Sequence, residues 1–140
     1  MRLIARLSGM WLVACWAAAC SQSVTSPSDT LPTGVWGGTG LQMTVTTGRT
    51  SFDFGCDVGS IEGPVILGPS GTLTASGTFA FGRGGPRQPT DPPLTAHPAV
   101  YSGITDGRTL RLTVFVTDLS RKIGDYELVL GRVAALDRCL

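Results

Sequence analysis

The chain carries four cysteines, Cys15, Cys20, Cys56 and Cys139, and a single histidine, His97. Thiols at these positions offer three chemistries: a covalent lipid link, a disulfide, or metal ligation. Asp53 and Asp57, four residues apart, are candidate cation ligands, although solvated surface carboxylates have the same pattern. Glu62 stands in a glycine-rich stretch with no partner evident from the sequence. His97, beside Pro98, has no second histidine and no nucleophile at catalytic spacing. Gly-x-Ser-x-Gly and paired-histidine motifs are both absent from the sequence. The expectation is a protein without enzymatic activity, and neither a metal site nor a cofactor is expected.

The totals narrow the class further. A chain of 140 residues is long enough for one domain plus accessory segments. Its formal charge is +1, and no clustered basic excess of the kind nucleic acid requires is present. Charged residues make up 15% of the chain, below the roughly 25% usual for soluble domains. Glycine (19 residues) and threonine are abundant, and Lys122 is the only lysine. This composition favours short strands and tight turns over helices.

The first twenty residues, "MRLIARLSGMWLVACWAAAC", have three parts. Arg2 and Arg6 give a positive start, residues 7–19 carry no charge, and small residues precede Cys20. That is the anatomy of a secretory signal, and the apolar run is too short to cross ~30 Å of hydrocarbon as a helix. "Trp16-Ala17-Ala18-Ala19-Cys20" resembles the lipobox of bacterial lipoproteins. The resemblance implies that Cys20 becomes the first mature residue and carries lipid through its sulfur. "Leu12-Val13-Ala14-Cys15" is a competing lipobox with more typical letters. Cys15, however, would leave only Leu7–Ala14 as apolar core and place Trp16 directly after the modified residue. Ordinary cleavage after Ala19, without lipid, is the third alternative. Two or three acyl chains hold a protein firmly where one does not. In the lipoprotein family of bacteria with two membranes, a serine after the cysteine is compatible with the outer membrane. The resemblance therefore places the protein in the cell envelope, anchored by lipid and facing the periplasm or the surface. Removal of residues 1–19 with Arg2 and Arg6 takes the formal side-chain charge from +1 to −1.

"SQSVTSPSDTLPT", residues 21–33, is rich in Ser, Thr and Pro and reads as a flexible tether. With Cys15 in the leader and Cys20 lipidated, Cys56 and Cys139 remain. In an exported protein a disulfide is the default for such a pair. A two-cysteine metal site is the rival reading, but the single histidine, His97, sits far along the chain in a proline-rich loop, and two thiolates with no nearby partner do not make a zinc site.

From residue 34 the apolar pattern has period two and is broken by turn residues. Leu41, Met43 and Val45 alternate with polar residues, and "Thr47-Gly48-Arg49" turns the chain. Phe52, Phe54, Cys56 and Val58 then fall on one face, with Asp53 and Asp57 on the other. A further strand is expected over Ile61–Leu67, followed by a turn at "Gly68-Pro69-Ser70-Gly71". Leu73, Ala75, Gly77, Phe79 and Phe81 alternate, as do Leu110, Leu112, Val114 and Val116, with "Asp106-Gly107" as a hairpin signal before the latter. The last strand is expected to hold Tyr126, Leu128, Leu130 and Arg132. The fold class is all-β: a small antiparallel meander barrel of about seven or eight strands, with a β-sandwich as the alternative. The domain is expected to run from 34 to 140.

"Gly34-Val35-Trp36" resembles the opening of lipocalin- and avidin-type barrels. That resemblance implies Trp36 as a barrel-end plug with Arg132 packed over it. A barrel of eight strands is either filled by its own side chains or holds one small ligand, and Phe52, Phe79 and Tyr126 are candidate lining residues for a small apolar ligand. Residues 82–98, "GRGGPRQPTDPPLTAHP", form a connection far longer than a hairpin needs, which reads as a lid or partner-contacting loop, or as a disordered insertion. Two functions follow as expectations: small-ligand binding inside the barrel, or action through the surface on another envelope protein, as a structural or inhibitory module. Intact mass of the protein extracted from membranes is expected to show acyl chains on Cys20, and Cys20→Ser to block processing or release the protein. A soluble, unmodified mature form would contradict the anchor.

Overall fold

The computed structural model describes residues 29–139. The expected leader, Cys15, Cys20 and the expected tether up to residue 28 lie outside the described residues. Eight strands follow in order: β1 (Gly34–Gly38), β2 (Leu41–Val45), β3 (Arg49–Asp53), β4 (Val58–Glu62), β5 (Thr72–Ala80), β6 (Ala96–Thr105), β7 (Thr109–Val116) and β8 (Arg121–Leu130). One short 3₁₀ turn, Pro69–Gly71, precedes β5. Each strand pairs antiparallel with the next, and β8 returns to β1, so the meander closes into a barrel. The sandwich alternative falls away.

The period-two pattern sets the inside of the barrel. Leu41, Met43 and Val45 point inward from β2, and Leu110, Leu112, Val114 and Val116 from β7, all of them buried. Hairpins between them are held by turn chemistry. Between β6 and β7, Asp106 Oδ1 accepts the N–H groups of Arg108 (2.8 Å) and Thr109 (2.7 Å). Those bonds hold the Asp106 carboxyl below its ordinary range.

Three expected elements differ from the structure. β3 stops at Asp53, and Phe54–Asp57 is a tight turn rather than a continuing strand. Asp53 Oδ1 accepts the Gly55 N–H at 2.8 Å, and Phe54 N–H bonds to the Asp57 carbonyl, which bends the chain there. Cys56 is therefore in a turn, and Val58 is exposed. The strand expected over Ile61–Leu67 ends at Glu62, leaving Val65 buried and Ile66 exposed. Finally, β8 ends at Leu130, because Gly131 takes a φ of +81°, a left-handed conformation that diverts the strand path.

The domain also begins earlier than residue 34. Leu31 is buried in the core, its N–H bonds to the Val65 carbonyl at 2.9 Å, and Thr30 bridges Ile66. Residues 29–33, expected in the tether, are part of the folded unit.

Candidate functional site

The barrel interior is the first place to look for a ligand. Phe52 and Phe79 lie in it fully buried, while Tyr126 is half-buried and packs on Phe54 at 5.5 Å between ring centres. The central residue is Tyr101, on β6. Its ring stacks on Phe52 at 4.2 Å, nearly parallel, and its hydroxyl donates to the Thr78 carbonyl at 2.7 Å. Burial pushes the Tyr101 phenol well above its ordinary pKa. Gly59, on β4, leaves the space that the Tyr101 hydroxyl occupies, and a side chain there would collide with it. This aromatic layer reaches through Phe54 and Phe79 to Phe81. What it leaves open is a void of about 10 Å³, bordered by Thr50, Phe52, Tyr101 and Leu112 among others. That is room for about one water molecule and no larger ligand. Thr50 Oγ1 is buried and has no hydrogen-bond partner among the described residues.

Trp36 is also fully buried, and its indole N–H donates to the Pro32 carbonyl at 3.1 Å. Arg132 does not pack over it. The residue lies beyond the end of β8 and is exposed. The guanidinium that does sit over an aromatic ring is Arg121, 5.2 Å from the centre of Phe81.

The chemistry-bearing residues outside the interior have structural partners. Asp53 caps Gly55 as described, and its other oxygen faces Arg138 at 3.7 Å. Asp57 Oδ1 accepts the Gly82 N–H at 2.8 Å, tying the β3–β4 turn to the start of the long loop. Glu62 does have a partner: Arg49, directly opposite in the β3–β4 register, at 3.4 Å. His97 belongs to β6, opposite Phe79, rather than to a loop, and its Nδ1–H donates to Asp118 Oδ2 at 2.8 Å. No group of three or more metal-ligating side chains gathers among the described residues.

Cys56 and Cys139 form a disulfide, with Cα atoms 5.3 Å apart across 83 residues of sequence. The bond fastens the C-terminal segment to the β3–β4 turn. From Gly131 that segment runs alongside β1. Gly131 N–H bonds to the Val35 carbonyl (2.6 Å), Ala135 N–H to the Gly38 carbonyl (3.1 Å), and Gly40 N–H to the Ala135 carbonyl (2.8 Å). Direct pairing between β1 and β8 covers only Trp36↔Leu130 and Gly37↔Val129, so the terminal segment straps the seam.

At the end of the barrel where this strap finishes, the loop after β5 folds back over the disulfide. Arg83 Nη1 donates to the Pro92 carbonyl at 3.3 Å, and Asp91 Oδ2 accepts the Gln88 N–H at 2.7 Å, closing the loop on itself. The loop proper is shorter than expected, because His97 and Pro98 belong to β6. Between loop, disulfide and strap lies a cleft of about 340 Å³, lined by Arg83, Arg87, Arg138, Asp53, Asp91 and the disulfide, among others. The sequence singled out the loop. Arg138, and the fact that all three arginines line one cleft, were missed, since position 138 reaches this end only through the disulfide-tied strap.

No protein family, no curated protein and no solved structure matches the chain. Replacing Cys56 and Cys139 together by serine is expected to lower stability by about 4–5 kcal/mol in the chain-entropy account, read by urea unfolding. A loss below about 1 kcal/mol would mean that the strap adds little to the fold.

Proposed function

We propose that this is a lipid-anchored protein of the cell envelope whose barrel acts without catalysis, through its outer surface, on a partner protein. The observation that carries the reading is the filled interior: a void of about 10 Å³ cannot seat a small ligand. A binding role then falls to the exterior. The disulfide-tied end supports it, because there the β3–β4 turn, the loop after β5 and the C-terminal strap meet around an open cleft. Holding such a long loop against a covalent staple gives a surface with little conformational freedom to lose on binding. The anchor at Cys20, drawn from the lipobox resemblance, would hold the domain at the membrane by a tether ending near residue 28.

Placing a photocrosslinking amino acid at Gly84 or Arg87, in the loop, tests the reading in intact cells. The expected result is one discrete crosslinked species from these positions and none from Gly48 or Ser70, at the opposite barrel end. Crosslinks from the opposite end alone, or from neither end, would overturn it.

A further inference from the structure

The cleft at the disulfide-tied end has a charge pattern that the fold does not use up. Three arginines line it and only two acids. Both acids are engaged: Asp53 Oδ1 by the Gly55 N–H at 2.8 Å and Asp91 Oδ2 by the Gln88 N–H at 2.7 Å. The arginines are less committed. Arg83 spends one N–H on the Pro92 carbonyl at 3.3 Å. Arg138 faces Asp53 at 3.7 Å across an exposed pair, a separation and exposure at which ion pairs contribute little. Arg87 makes no ion pair with any described residue. A guanidinium presents its N–H groups as a planar fork that matches a carboxylate in bidentate fashion. The cleft is not uniformly polar: Val58, 45% exposed, and Leu94 flank the arginines. Its volume, about 340 Å³, lies at the small end of the range of ligand pockets and has room for a few side chains.

We propose that this cleft is a carboxylate-binding site, and that it takes a short acidic segment of the partner protein, with the acidic groups held between Arg87, Arg83 and Arg138 and an apolar neighbour against Val58 and Leu94. This deepens the surface-binding reading of the preceding subsection and rests on it for the source of the carboxylate. The formal side-chain charge of the chain without residues 1–19 is −1, so general attraction of anions by the whole molecule is weak. Any preference for an acidic segment must then come from this local grouping.

The test uses the mature full-length chain with its disulfide intact, in detergent for the soluble probes and freed of detergent for the vesicles. The probes are a terminally blocked peptide of alternating aspartate and leucine, the same peptide with asparagine for aspartate, inorganic phosphate, and vesicles of anionic phospholipid. Backbone amide shifts and titration calorimetry read binding. The expected result is saturable binding of the aspartate peptide, shifts confined to residues 53–58, 82–95 and 137–139, no binding of the asparagine peptide, and weakening with added salt. Arg87→Ala is expected to weaken binding about tenfold or more, and Arg87→Lys to recover only part of the loss, since an ammonium lacks the fork. Unfolding midpoints of both variants should match the parent, because Arg87 supports no packing. Equal binding of the asparagine peptide, no effect of Arg87→Ala, or binding of phosphate or anionic vesicles in place of the peptide would each overturn the proposal. Crosslinks from Gly84 with no peptide binding would leave the surface reading standing and remove the carboxylate. Peptide binding with no crosslink in cells would support the carboxylate site and remove the protein partner.

Discussion

Closure of the β1–β8 seam is the constraint on which the rest of the molecule depends. A meander of eight strands has two edges, and unpaired edges are hazards unless they meet. Here they meet over only two residue pairs, Trp36↔Leu130 and Gly37↔Val129. The C-terminal segment adds hydrogen bonds at Val35, Gly38 and Gly40, and the disulfide then ties it to the β3–β4 turn. Gly37 has the Arg132 carbonyl where a side chain would stand, so the strap can lie close against β1. A bond that looks like a staple on the surface thus holds a topological join.

Closure decides what the inside can do. Eight strands give an interior just wide enough for side chains, and this chain fills it with large ones. Trp36, Tyr101 and Phe79 are fully buried, and the Tyr101 ring lies flat on Phe52. Gly59 yields the space for the Tyr101 hydroxyl, and the Thr78 carbonyl satisfies it. The same closure brings three distant parts of the chain to one barrel end. The turn at Cys56, the loop at Arg83 and Arg87, and the terminus at Arg138 are neighbours only because the strap arrives there.

Much of the barrel was legible in the sequence. The alternation of Leu110 to Val116 and of Leu41 to Val45 gave the inward faces, and Asp106-Gly107 gave a hairpin. The pairing of Cys56 with Cys139 followed from the cysteine count once Cys20 was assigned to lipid by its resemblance to a lipobox. What was not legible has physical causes. The alternation of Phe52, Phe54, Cys56 and Val58 continues in residue type through a tight turn, so periodicity could not reveal that the backbone bends at Asp53. His97 looked like a loop residue because of Pro98, yet Pro98 sits near the start of β6 and still accepts the Thr117 N–H at its carbonyl. The Arg49 partner of Glu62 follows from strand register, which spacing does not give. The arginine cleft has no local signature at all, since positions 83, 87 and 138 meet only after closure.

A fluorescence titration tests the central claim, a barrel closed to ligands, most directly. Trp36 is the only tryptophan after residue 16 and is fully buried in the interior, so its emission reports entry of any molecule into the core. Titrating the mature protein with long-chain fatty acids and an environment-sensitive apolar dye is predicted to leave that emission unchanged. Saturable one-to-one binding that shifts or quenches Trp36 emission would contradict the account.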